Sequence, residues 1–334
     1  MTASRLERIQ QVVRDTGLDA LLVVHPPNIR YLTGLKASAG AAFVSRDGCV
    51  LVVDFRYATA AREIARTEPG IEVEVAGGPI EEAVGAVASR HSARTIGIEA
   101  EHLSVARFHR LQEFIGAAAL EPTERLVERL RVVKDEGEIA IVREAGRRIS
   151  DVGRRLRELV VPGMTELEAA AAIDAAVRTA GFERAAFETI VASGPNGALP
   201  HARPTTRKLR EGEGVVLDFG GVYDGYCVDL TRTLQLGSVS AEFRRMFGAV
   251  REAQAAAIAA VRPGARAADI DGAARRVLEA HGLGEAFGHG TGHGLGLEVH
   301  EDPRLSKLVP ADGVVSAGMV FTIEPGAYVP GVGG

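Results

Sequence analysis

Residues 215–233 read VVLDFGGVYDGYCVDLTRT, and this stretch decides the fold of the second half of the chain. Two runs rich in Val, Leu, Phe and Thr flank Asp224-Gly225, a strong short-range hairpin signal, so the pattern predicts two antiparallel strands joined by a tight turn. Asp218 is a lone carboxylate inside the first apolar strand, and Asp229 sits in the second. A carboxylate taken out of water needs a cation, and two on neighbouring strands need partners. Arg232 could serve one of them, with Asp224 and Asp229 acting as turn caps; a pair of metal ions would serve both.

Working outward, residues 289–301, HGTGHGLGLEVHE, and residues 320–328, VFTIEPGAY, add His293 and Glu324 in similarly apolar surroundings. His289 and His293 have helical HxxxH spacing, but Gly288, Gly290, Gly292, Gly294 and Gly296 make a helix there unfavourable. A set of Asp, Asp, His and Glu is rich in oxygen and suits Mn, Co, Fe or Mg better than a thiolate zinc site would. Cys49 and Cys227 are the only cysteines, each inside a predicted strand, so neither a disulfide framework nor a thiolate metal site is indicated.

The 334 residues, 46% of them hydrophobic, exceed what one compact core usually holds, so two domains are expected. A net charge of -5 leaves no basic footprint for nucleic acid. The opening MTASRLERIQQVVRDTG is a polar amphipathic helix rather than a secretory signal, and no run reaches membrane-spanning length, so a soluble cytoplasmic protein is expected.

Residues 1–122 alternate short helices and strands, which predicts an α/β domain with a mixed sheet. His25 in HPPNIRYLTG reads as a strand-end turn residue and Arg56 as a local cap, although this region could shape the mouth of a site on another subunit. Residues 123–134 read as a charged connection. Over 135–334, helices are predicted at 136–159, 165–180, 241–261 and 267–280. Each pair is split by Pro-Gly, in VPGMT and in RPGAR, and each precedes a strand region, as if one half were written twice. A site between two such halves would draw ligands from both.

The combination of VVLDFGGVYDGYCVDLTRT, HGTGHGLGLEVHE and FTIEPGAY resembles the pita-bread metallopeptidases, the superfamily of methionine aminopeptidase, aminopeptidase P and prolidase. NIRYLTG, VDFRY and RLRVVKDEGEIAIVREA resemble the creatinase-type N-terminal domain and linker of the aminopeptidase P and prolidase branch. The resemblance implies a creatinase-type α/β domain followed by an α+β pita-bread catalytic domain with internal pseudo-duplication. It implies Asp218, Asp229, His293 and Glu324 as ligands of two divalent ions, Mn first, with Co, Fe or Zn as alternatives, and a hydroxide between them. Glu324 would also move the proton, His201 and His300 would stabilise the tetrahedral intermediate, and His289 would line a proline pocket. The implied reaction is hydrolysis of Xaa-Pro bonds in dipeptides or at peptide N-termini, in a homodimer. Methionine aminopeptidase lacks so large an N-terminal domain, creatinase works without metal, and a noncatalytic binding protein on the same fold is the alternative of a different class.

One feature departs from the family pattern. A second glutamate ligand is expected in a GVRIED-like strand about a dozen residues past EPG, and the sequence given stops at Gly334 before it. The expectation is a fragment of an ordinary enzyme, with weak metal binding and little activity in the chain as given.

Overall fold

The computed structural model describes residues 4–309 and 313–334, and the chain forms two compact units, Met1–Arg131 and Val132–Gly334. The first unit is built on six strands: β1 (Ala20–Val23), β2 (Ala41–Ser45), β3 (Cys49–Val53), β4 (Ile71–Val75), β5 (Thr95–Glu99) and β6 (Ala119–Thr123). They lie in the order β4-β3-β2-β1-β5-β6. Pairing is antiparallel for β1–β2 and β2–β3 and parallel elsewhere, so the sheet is mixed. Its helices are α1 (Arg5–Asp15), α2 (Pro26–Thr33), α3 (Ala58–Thr67), α4 (Ile80–Arg90), α5 (Val105–Phe114) and α6 (Leu126–Arg131). Burial of Leu22, Phe43, Val50 and Val52 against Val84, Val87 and Leu111 makes its core.

Two segments of this unit differ from the sequence reading. HPPNIRYLTG forms a helix rather than a turn, with His25 as the residue before its first turn. Pro26 and Pro27 occupy helical positions whose N–H groups would have no partner, and Gly34 takes a left-handed φ of 78° to end the helix. Residues 119–123 form a strand that the sequence reading did not include, and Pro122 is tolerated because β6 is an edge strand paired to β5.

The second unit opens with α7 (Glu136–Arg154), α8 (Leu156–Leu159) and α9 (Glu166–Thr179), so the helix expected over 136–159 is interrupted at Arg155. Asp135 with Glu138, and Thr165 with Glu168, close reciprocal capping boxes at the starts of α7 and α9. Then come β7 (Arg184–Ala185), β8 (Ile190–Ser193), a 3-10 turn (Gly194–Ala198), β9 (Gly214–Tyr223) and β10 (Tyr226–Gln235). The second half follows with α10 (Ala241–Ala260), α11 (Ala267–Ala280), β11 (Gly292–Gly294) and β12 (Glu301–Leu305). Alternation along β9 sends Val215, Leu217 and Phe219 into a core with Ala145, Ile149, Ile173 and Val177 of the helices, which leaves Asp218 on the other face. In the second half, Ala249, Ala253 and Ala257 of α10 pack with Ile270, Ala274 and Leu278 of α11.

The repeat legible in VPGMT and RPGAR is visible in the backbone. Gly163 N donates to Leu209 O, and Leu209 N donates to Met164 O. Gly264 N likewise donates to Val315 O, and Val315 N to Ala265 O. Each half thus enters its second helix through the same two-bond clip. Among the described residues no helix is long and apolar enough to cross a membrane.

Candidate metal centre and active site

The hairpin register explains why two carboxylates eleven positions apart meet. Asp224 and Gly225 both take positive φ, 42° and 75°, which matches the primed turn that preserves strand twist. With Tyr226 opposite Tyr223, Asp218 falls opposite Thr231 and Asp229 opposite Gly220. The two aspartates therefore share a face, one diagonal step apart. Gly220 is needed there, because a Cβ would collide with Val228 O and the Phe187 ring.

A second ladder brings the other pair. Leu295 N donates to Val320 O, Thr322 N to His293 O, and Glu324 N to Thr291 O, so residues 291–295 run antiparallel to 320–324. His293 lies opposite Thr322, and Glu324 is one diagonal step away, the same relation that joins the two aspartates. Gly292 permits the approach, since a Cβ on it would overlap Thr322 O.

Ligand atoms of Asp229, His293 and Glu324 lie within 4.8 Å of one another. His293 Nε2 is 3.5 Å from Asp229 Oδ2 and 3.2 Å from Glu324 Oε1. Its Nδ1 is 3.1 Å from Gly294 O and donates to it, so that Nε2 faces the two carboxylates. Burial opposes the charged imidazolium, yet hydrogen bonds to Asp229 and Glu324 prevail and push its pKa up to about 10. Asp218 is pushed up to about 7 by burial and then by the charge of Asp229, against the hydrogen bond from Thr231 Oγ1 at 2.9 Å. Glu324 loses solvation as well, but the bonds from His293 and Thr322 outweigh that and lower its pKa.

This donor chemistry fits a divalent cation. Asp229 and Glu324, with Asp218 beside Asp229, gather negative charge that protons on His293 and Asp218 offset, and a divalent cation could take the place of those protons. Arg232 does not supply the missing charge: its Nη1 donates to Thr231 O at the exposed side of β10.

The other histidines divide. The His300 ring stands 4.4 Å from that of His293, and desolvation, His293 and Arg304 lower its pKa. His289 is bonded at both nitrogens, Nδ1 to Gly290 O at 2.7 Å and Nε2 to Tyr328 OH at 3.1 Å, so its ring face is what it offers a ligand. His201 is exposed on the loop after the 3-10 turn and is not part of the group of Asp229, His293 and Glu324.

Several supporting residues carried no sequence signal beyond strand or helix propensity. Thr322 Oγ1 donates to Glu324 Oε1 at 2.7 Å, as Thr231 does to Asp218. Asp271, fully buried on α11, accepts from Thr291 N and Oγ1 and pairs with Arg275, whose guanidinium also holds the carbonyls of Phe287 and His289. Lys134 and Glu301 form a buried ion pair at 3.1 Å beside the turn that bears His300.

Two ladders bring Asp229, His293 and Glu324 together, with Asp218 one diagonal step from Asp229, and this arrangement is a candidate metal centre. Residues 140–334 match metallopeptidase family M24, and residues 5–133 match the creatinase/prolidase N-terminal domain. The chain belongs to family M24, in the pita-bread branch that carries the creatinase/prolidase N-terminal domain. It is 34% identical to the uncharacterized peptidase YqhT of Bacillus subtilis, over 99% of this chain and 92% of that protein. It is 32% identical to an Xaa-Pro dipeptidase of Pyrococcus horikoshii, over 99% of this chain and 91% of the relative. The solved Xaa-Pro dipeptidase from Bacillus anthracis superposes with a TM-score of 0.93 at 32% identity, covering 98% of this chain and 91% of that one.

Proposed function

We propose that this peptidase hydrolyses Xaa-Pro bonds, in dipeptides or at peptide N-termini, using two divalent ions held by Asp218, Asp229, His293 and Glu324, with Mn first and Co, Fe or Zn as alternatives. The observation that carries the proposal is the convergence of Asp229, His293 and Glu324 within 4.8 Å. Xaa-Pro dipeptidases among the relatives support the substrate. Bound ions would supply a nucleophile from water at neutral pH and Lewis-acid stabilisation of developing charge.

The chain's own residues do the rest. Glu324 is ionised at neutral pH, with Oε1 held by Thr322, so it can accept a proton from water and return it to the leaving nitrogen. His300 has a lowered pKa and is ready to donate a hydrogen bond to the substrate carbonyl in neutral form. His201 would complete that contact from its loop. The His289 ring, braced by Tyr328 and Phe287, would wall the prolyl ring. A prolyl nitrogen has no N–H to offer, so recognition by a pocket suits this bond. We further propose a homodimer in the cytoplasm.

The test is hydrolysis of Ala-Pro and Ala-Pro-Ala after chelation and after Mn is returned. Mn-dependent cleavage of either peptide that is lost in His293→Ala is the expected result. Undiminished activity after exhaustive chelation, or in that variant, overturns the proposal.

A further inference from the structure

We infer that Glu166 is a positioning residue for the loop that carries His201; the inference rests on the substrate contact proposed above for His201. Glu166 begins α9 and is fully buried, and the hydrogen bonds it accepts come from neutral groups. Its Oε1 accepts from Ser193 N at 2.8 Å and Ser193 Oγ at 2.7 Å. Its Oε2 accepts from Thr205 N at 3.0 Å and Thr205 Oγ1 at 2.7 Å, and the amide of Asn196 reaches both oxygens at 3.1 Å. Ser193 and Asn196 form one stem of the loop and Thr205 the other, so a single carboxylate closes the loop at its base.

A buried carboxylate is retained ionised only where such donors exceed the cost of desolvation, and here they do, since burial is outweighed and its pKa is lowered. Arg207 braces the same stem by donating to Ser193 Oγ and pairing with Glu213. The duplicated half shows that the fold does not require this carboxylate. There the backbone clip is the same, but the position matching Glu166 is Ala267, whose N–H donates to Gly313 O as Glu166 N does to Arg207 O. Between the stems, the loop holds a turn in which Ala202 N donates to Leu199 O and an exposed pair of Arg203 with Glu188, so the carboxylate clamp at its base contributes to the placement of His201.

The isosteric variant Glu166→Gln and the milder Thr205→Ala test this in the full chain. Amide exchange over residues 194–207 should quicken by about tenfold or more in Glu166→Gln while β9 and β10 are unchanged. The value of kcat/KM for Ala-Pro should fall by about 10²-fold, with less loss in Thr205→Ala. The Mn concentration dependence of the melting temperature should stay as in the parent protein. In a His201→Ala background, Glu166→Gln should cost little more, because both act through one contact. Additive losses, unchanged loop exchange, or a parallel loss of Mn binding would overturn the inference. If His201→Ala alone keeps full activity, the contact assigned to His201 fails, and the exchange measurement still reports separately whether Glu166 holds the loop.

Discussion

Asp229 Oδ2 and His293 Nε2 lie 3.5 Å apart although they belong to different ladders, one written at residues 214–235 and the other at 291–324. The β10 strand and the second half are fastened together nearby, where Cys227 N donates to Gly296 O at 2.6 Å. A cation bound at this point links the two halves and should stabilise the folded chain. With Mn at about 100 times its dissociation constant, the gain is about 2.7 kcal/mol. Chelation should therefore lower the melting temperature, and His293→Ala should remove the response to added Mn, as measured by thermal denaturation against Mn concentration.

The two threonines give a second prediction. Thr231 donates one hydrogen bond to Asp218 and Thr322 one to Glu324, and each bond fixes the rotation of its carboxylate. Replacing either by Val keeps the shape and β propensity of the strand but frees the carboxylate to rotate. Metal affinity should fall about 10- to 100-fold. Isothermal titration with Mn checks this, and an unchanged affinity in both variants would show that the ladders alone hold the ligands.

How much of this could be read from residues alone varies with the range of the interaction. The β9–β10 hairpin was legible because its signal is local: apolar alternation around Asp-Gly fixes the turn, the turn fixes the register, and the register sets Asp218 beside Asp229. The capping box of Thr165 and Glu168 at the start of α9 was legible for the same reason, whereas that of Asp135 and Glu138 was not read. The helix at Pro26 was hidden because two prolines signal a turn as readily as a helix start, and β6 because Glu121 and Pro122 suit a connection as well as an edge strand. Glu166 was visible only as part of an amphipathic helix, since its partners lie at Ser193, Asn196 and Thr205. Thr231 and Thr322 read as ordinary strand formers until the strands are paired.

The metal-free protein should lose stability as pH rises. The Asp218 pKa is pushed up to about 7 in the folded chain from its ordinary 3.8, so the folded state binds the extra proton between those values, and its contribution is lost as pH rises through about 7. His293 titrates at about 10 against 6.5, so its contribution is full below about 6.5 and is lost as pH rises towards 10. Both slopes have the same sign. Melting temperatures of the chelated protein between pH 5 and pH 9, taken as about two units either side of neutrality, should decline. Mn must displace these protons, so its affinity should rise over the same interval. Isothermal titration at the two ends checks the second half of the statement.

Two glycines of one run should differ in their tolerance of a side chain. A Cβ on Gly292 would overlap Thr322 O and part the ladder that carries His293 and Glu324, whereas a Cβ on Gly288 would meet nothing within 4 Å. Gly292→Ala should destabilise the protein by about 1–3 kcal/mol and abolish the Mn-dependent thermal shift. Gly288→Ala should change stability by less than about 0.5 kcal/mol. Urea denaturation of the two variants with and without Mn separates loss of the site from general loss of stability.

The buried pair Lys134 and Glu301 sets the last expectation. The side chains are 1% and 8% exposed, with Nζ 3.1 Å from Oε2, and the other oxygen of Glu301 accepts from Glu298 N at 3.0 Å. Gly296 lies so close to this carboxylate that a Cβ would strike it, which fits the turn from 296 to 301 around Glu301 and places His300 beside His293. Removing one partner leaves a charge in a site that water cannot reach, so Glu301→Gln should cost about 3–5 kcal/mol. Replacing both, as Lys134→Met with Glu301→Leu, removes the stranded charge and should recover most of that stability. It also removes the acceptor for Glu298 N, so the turn should loosen. The double variant should then melt close to the parent protein while kcat/KM for Ala-Pro stays depressed. Equal activity in the double variant and the parent would show that the ion pair serves stability alone and that the placement of His300 does not depend on it.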